Sequence, residues 1–191
     1  MLPNEQLSSV VLLGEYLVPD NKNPQPLRDY ELGGIGLHDP SAGLQYQIWT
    51  CYYEAGDVKV SAPNTLPVVL FTDSNIVKLT FTFDQNMRPF VSYIKKDKTA
   101  WYWWFNTFTG LQTLTQLSGA NSISSALDDK RKRENGTSDV VLIYTKSNNL
   151  YFRAQRDRYG VEYQLQAAIN ATVVKAGMTN KNRLQIKLIH N

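Results

Sequence analysis

The sequence predicts an all-β, propeller-like fold made of about four repeats, and three observations lead there. Short runs rich in Val, Ile, Thr, Tyr and Phe, either alternating or apolar on both faces, follow one another along the chain. Tight-turn sequences join them in pairs. The pairs also recur at a fixed interval: Asp39, Asp84 and Asp129 lie in the polar turns HDPSAG (38–43), FDQNMR (83–88) and LDDKRK (127–132), 45 residues apart each time. No stretch holds a helical period. The nearest candidate, SGANSISSALDDKRKRE (118–134), has the Gly, Asn and Ser content of a loop and a short strand.

Each unit reads in the same order. A strand precedes the polar turn (LGGIGL, VKLTFTF, ISSAL), a hairpin follows it, and a further strand closes the unit (LPVVLFT, LQTLTQL, VEYQLQA). The hairpins span 44–61, 90–105 and 139–155, with loops EAGD (54–57), KKDKT (95–99) and KSNN (146–149). Four short antiparallel strands in about 45 residues have the size of a propeller blade. The units are thus 32–72, 77–117 and 123–167, and a truncated fourth covers 173–191 through VVKAGM, TNKN and RLQIKLI. Its missing strands are expected from the N-terminal segment, where SSVVLLGEYLV (8–18) is otherwise unassigned, or from a neighbouring subunit. Either source would remove an open sheet edge. The expected organisation is an arm and linker over 1–27, containing PDNKNPQP (19–26), then one β-domain over 28–191.

The stretch TAWYWWFN (99–106) tests this reading. Trp101, Trp103 and Phe105 would point to one side of a strand, Tyr102 and Trp104 to the other. A half-buried strand alternates with polar residues, and this one does not. Blades stacked face to face bury both sides of their middle strands, so these rings, with Trp49, form the expected aromatic core. An exposed platform for stacking sugars or bases is the alternative.

Composition narrows the classes. With 42% hydrophobic residues the chain is globular rather than disordered. A net charge of +3, mixed along the chain, gives no reason to expect direct nucleic-acid binding. The single cysteine, Cys51, excludes an intrachain disulfide and fits folding in a reducing cytosol. No apolar run reaches the length of a membrane span, and the N-terminal VVLL lacks the basic flank of a signal peptide.

Chemistry is sparse. His38 and His190 have no ligand spacing, Cys51 sits in an apolar strand as a small hydrophobe, and phosphate-loop and nucleophile-elbow motifs are missing, so no catalytic, cofactor or metal residues are expected. The run DDKRKREN (128–135) reads as a solvated loop, with an acidic partner or nucleic acid as the alternative. The strongest polar constellation is LYFRAQRDRYGVEY (150–163), with Arg153, Gln155, Arg156, Asp157, Arg158 and Glu162. If the strand runs through it, Arg153, Gln155 and Asp157 share one face and Arg156 and Arg158 the other. The expected role is structural, the arginines pairing with Asp128 and Asp129 to lock blade to blade. The competing reading is a sialidase-like carboxylate clamp, with Tyr159 and Glu162 available for chemistry.

The units also resemble a known group. RDYELGGIGLHDPSAGLQYQIWT (28–50), LTFTFDQNMRPFVSYI (79–94), LDDKRKRENGTSDVVLIYTKSNNLYFRAQRDRYGVEYQL (127–165) and GMTNKNRLQIKL (177–188) are similar to small tail-associated proteins of tailed bacteriophages. FDQNMRPFV, LDDKR, and LYFRAQRDRY followed by VEY are the most specific parts, and the likeness runs over roughly 28 to 189. The resemblance implies a non-enzymatic structural role in the virion tail after synthesis in the host bacterial cytoplasm. Its partners would be other tail proteins and further copies of the chain, with no membrane contact. It brings no catalytic residues. Tail symmetry favours a homo-oligomeric ring, and residues 1–27, outside the likeness, are free to dock on a partner. The rival reading is a receptor- or glycan-binding module using loop aromatics such as Tyr159 or Trp49.

Overall fold

The computed structural model describes residues 30–37, 46–62, 65–84, 88–106, 109–127, 139–178 and 184–190. They form β-strands and one short 3-10 turn. The first sheet contains β1 (Tyr30–Leu37), β2 (Tyr46–Glu54), β3 (Asp57–Ser61) and β4 (Val68–Thr72). The second contains β5 (Ile76–Phe83), β6 (Pro89–Lys95), β7 (Ala100–Asn106) and β8 (Leu111–Leu117). The third contains β9 (Ser122–Leu127), β10 (Val140–Lys146), β11 (Asn149–Ala154) and β12 (Tyr163–Ala167), and a two-stranded fourth pairs β13 (Ala171–Met178) with β14 (Leu184–His190). Every sheet is an antiparallel meander whose strand order follows the chain. The repeat of four strands read from the sequence is therefore present three times over, with a two-strand remainder.

Local chemistry sets the hairpins. Glu54 pairs with Asp57 across Ala55-Gly56, and Lys146 with Asn149 across Ser147-Asn148. All four loop residues have positive φ, the geometry whose twist matches a two-residue hairpin. Between β6 and β7 the Asp97 carboxylate accepts bonds from the Thr99 amide (3.0 Å) and hydroxyl (2.6 Å), and Lys98 takes the left-handed position. The segment 8–18, expected to finish the fourth unit, lies outside the described residues, as do Asp39, Asp128 and Asp129.

The sheets meet face to face. Cys51, Val58, Val60, Leu79, Phe81, Val91, Tyr93 and Trp103 fill the layer between the first and second sheets. Phe90, Tyr102, Trp104, Ile123, Leu142 and Tyr144 fill the next, and Val141, Ile143, Leu150, Val173 and Ala176 the last. The aromatic strand β7 is thus buried from both sides. Trp103, with the half-buried Trp101, faces the first sheet, and Tyr102 and Trp104 face the third. Phe105, at its end, is half-buried beneath the Arg88 guanidinium, 5.4 Å from the ring centroid, and Trp49 is half-buried edge-on to Phe83.

The first strand of each sheet packs beside the first strand of the next, β1 on β5, β5 on β9 and β9 on β13. Hydroxyls join them in the interior. Thr80 Oγ1 lies 3.0 Å from Ser125 Oγ and accepts a bond from the Ser125 amide at 3.1 Å. Ser122 Oγ accepts from the Val173 amide (2.8 Å) and Ser124 Oγ from the Ala176 amide (3.0 Å). Lys78 on β5 reaches two sheets on, its Nζ donating to the Val173 carbonyl of β13 at 3.4 Å.

Burial on both faces predicts that Trp104→Ala lowers stability by about 3–5 kcal/mol. Leu66→Ala, at a side chain 88% exposed before β4, should change it by less than about 0.5 kcal/mol. Urea unfolding followed by circular dichroism measures both, and equal small effects would contradict the two-sided burial.

Candidate functional site

The polar constellation around Arg153 forms two connected clusters at the junction of the second and third sheets. The strand does not run through it as expected. β11 stops at Ala154, Gln155–Asp157 make a 3-10 turn, and Arg158 and Tyr159 both adopt left-handed conformations with φ of 52° and 58°. The shared strand faces expected for Arg153, Gln155 and Asp157, and for Arg156 and Arg158, therefore do not exist. The turn closes on its own backbone, with the amides of Arg158, Tyr159 and Gly160 bonded to the carbonyls of Gln155, Ala154 and Asp157.

This turn drives Tyr159 into the layer between the sheets. The side chain is 1% exposed, and its ring centroid lies 5.1 Å from Phe90, 5.4 Å from Tyr102 and 4.9 Å from Trp104. Its hydroxyl has no hydrogen-bond partner among the described residues. Burial, with the Asp139 and Asp84 carboxylates nearby, pushes the phenol pKa well above its usual value. Tyr159 is thus an internal ring and not the exposed loop aromatic that a glycan-binding reading would use.

On one side of Tyr159 the turn hooks the second sheet. Gln155 Nε2 donates to Asp84 Oδ2 at 3.1 Å, and Gln155 Oε1 accepts from the Val140 amide at 3.2 Å. The other Asp84 oxygen accepts from the Arg88 amide at 2.9 Å, and the Asp84 amide donates to the Arg88 carbonyl, closing the turn between β5 and β6. Arg156 pairs with Asp139, Nε to Oδ2 at 3.0 Å.

On the other side lies the Glu162 cluster. Its carboxylate accepts from Tyr144 Oη, from Lys146 Nζ at 3.0 Å and from Arg153 Nη2 at 3.3 Å. Arg153 also donates through Nε to Tyr144 Oη (3.1 Å) and through Nη1 to the Tyr159 carbonyl (2.9 Å). Burial pushes the Glu162 pKa up, but the bonds from Tyr144, Lys146 and Arg153 outweigh it and hold the carboxyl below its usual value. Asp157 accepts from Tyr163 Oη at 3.1 Å, and Arg158 is exposed. Arg153 and Arg156 therefore bond to different neighbours, Glu162 and Asp139, and do not share one carboxylate.

The opening left between Asp84, Arg88, Phe90, Trp104, Gln155 and Tyr159 has a volume of about 10 Å³, room for roughly one water molecule and far short of a small-molecule site. No group of three or more His, Cys, Asp or Glu among the described residues could hold a metal ion. Burial pushes the Cys51 thiol pKa far up, which suits a packing residue. Among the described residues no helix is long and apolar enough to cross a membrane.

Asp84, Asp139 and Tyr144 are partners that sequence reasoning did not assign. The 45-residue interval could have exposed one further contact, because Thr80 and Ser125 stand that far apart and touch. No family model matches the chain, and no curated protein or solved structure is significantly similar to it.

Two outcomes follow. Tyr159→Phe removes a hydroxyl buried without a partner and is expected to leave stability unchanged or slightly raised, whereas Tyr159→Ala should cost about 3–5 kcal/mol; urea midpoints of the two variants decide it. The second outcome concerns pH. Glu162 and Asp73, the latter bonded to Lys95 and Tyr93 against its own desolvation, both have folded-state pKa values lowered from the ordinary ones. The unfolded chain then takes up more protons on acidification. The stability these groups contribute is complete above the ordinary carboxylate range near 4 and is lost as pH falls through and below it. Glu162→Gln with Asp73→Asn should flatten the acid limb of a stability-versus-pH curve.

Proposed function

We propose that the protein is a non-enzymatic structural component of a bacteriophage tail, a rigid block of propeller-like blades that assembles with other tail proteins and with copies of itself. The observation that carries this reading is where the most distinctive residues go. Asp84, Arg88 and Phe90 come from FDQNMRPFV, and Arg153, Gln155, Arg156 and Tyr159 from LYFRAQRDRY, the stretches on which the likeness to tail-associated proteins rests. Their contacts bind sheet to sheet, close their own turn or, for Arg156, tie the turn to Asp139 of the same sheet. Residues spent in this way suit a part that transmits force and holds shape.

The bond from Lys78 to Val173 supports the blade arrangement. Sheets stacked in a straight line lie about 10 Å apart, which would put β13 about 20 Å from β5, beyond a lysine's reach. First strands that fan about a common axis bring the two within bonding distance. In the tail, the arm over 1–27 would dock on a neighbour, and the protein would reach the virion after synthesis in the host cytoplasm.

Mass spectrometry of gradient-purified particles from a phage carrying this gene tests the reading. The expected result is the intact chain in several copies per virion, and particles with the gene deleted should show a defective tail. Purified particles that lack the chain would overturn the assignment.

A further inference from the structure

The outer strands β4, β8 and β12 each end a sheet, and none contains a charged residue or a proline. Soluble proteins ordinarily guard such edges with Lys, Pro or a bulge. β8 is the longest of the three, Leu111–Leu117, and its outward edge has no strand beside it among the described residues. Its sequence, LQTLTQL, reads the same in both directions about Leu114.

We propose that β8 pairs edge to edge with β8 of a second copy of this chain, antiparallel, about a two-fold axis at Leu114. Such an axis sets residue 111 opposite 117, 112 opposite 116, and 113 opposite 115. Every cross-strand pair is then a matched one: Leu with Leu, Gln with Gln, Thr with Thr, and Leu114 with itself. Pairs of this kind are the stabilising unit of an antiparallel sheet. Partners share parity, so side chains facing one way on one copy meet side chains facing the same way on the other. Leu111, 66% exposed, is covered opposite Leu117, and Leu114, 42% exposed, is covered by its counterpart. A two-fold axis also places any charge near it against its own copy, and an uncharged strand alone escapes that repulsion. β14 fails on this count, because LQIKLIH paired about its centre opposes Lys187 to Lys187. β12 is shorter and would oppose Tyr163 to Ala167. The occupant is therefore a second copy, bound through the second sheet, which continues into an eight-stranded sheet across the pair. This pairing is independent of the tail assignment.

Cross-linking with a register control tests the proposal on the full chain. In the pairing the two residues 114 have Cα atoms about 4.5–5.5 Å apart, within disulfide span, while the two residues 111 stand about 20 Å apart. Cys51 is the only native cysteine and is buried, so it gives no background. Mild oxidation should convert most of Leu114→Cys to a covalent dimer on a non-reducing gel and leave Leu111→Cys monomeric. In light scattering, Leu114→Lys should reduce the mass to the 21.7 kDa of one chain if the wild type forms only this dimer, or halve it if the dimer is a unit of a larger ring, with unchanged circular dichroism. A wild-type protein that is monomeric throughout, a Leu114→Lys variant that keeps the wild-type mass, or equal cross-linking of the two cysteine variants would overturn the proposal.

Discussion

The close approach of the first strands is the constraint on which the other contacts depend. Four sheets can meet along β1, β5, β9 and β13 only where side chains at the meeting line are small or can bond to each other. β9 is SISSAL, β1 carries Gly33, Gly34 and Gly36, and β13 contributes Ala176 and Gly177. A buried hydroxyl without a partner costs free energy. Thr80, Ser122, Ser124 and Ser125 avoid that cost by bonding to the neighbouring sheet's backbone or hydroxyls. The polar groups therefore fix the spacing, and the larger residues farther out, Leu142, Trp104 and Phe81, fill the layers that this spacing leaves.

Above that junction the turn at Gln155 holds the second and third sheets together by different means. Tyr159 supplies ring contact, Gln155 a hydrogen bond to a carboxylate, and Arg153 a bond to the Tyr159 carbonyl that keeps the turn folded. Two successive residues in left-handed geometry are costly for side chains with a Cβ. The packing of Tyr159 against Phe90, Tyr102 and Trp104 is what offsets that strain.

The strands and hairpins could be read from the sequence because they are written in local chemistry. Alternation, β-branched residues and loops such as EAGD and KSNN each specify their geometry within a few residues. The 45-residue interval grouped them into sheets. The end of β11 is hidden, since LYFRAQ (150–155) reads as one strand run while Gln155 bonds to Asp84 and Tyr159 packs on Phe90 in a turn. The rival reading of Tyr159 as an exposed loop ring fails for the same reason, because its burial is decided by the left-handed pair Arg158-Tyr159 and its contacts with the second sheet, which local sequence does not spell out. One partner of Arg156, Asp139, lies just beyond the charge run that holds Asp128 and Asp129.

Exposure rises from the first strand to the last in the second and third sheets. In the third sheet, Ser122 to Ala126 and Val140 to Thr145 are buried, while every residue of β12 is exposed. The amides of β9 are shielded by sheets on either side, and those of β12 have one neighbour and water. These two sheets are thus graded in persistence, rim first and centre last, and local opening can peel an outer strand without disturbing the hydroxyl contacts within. The molecule can remodel its periphery against another surface while its centre keeps one shape.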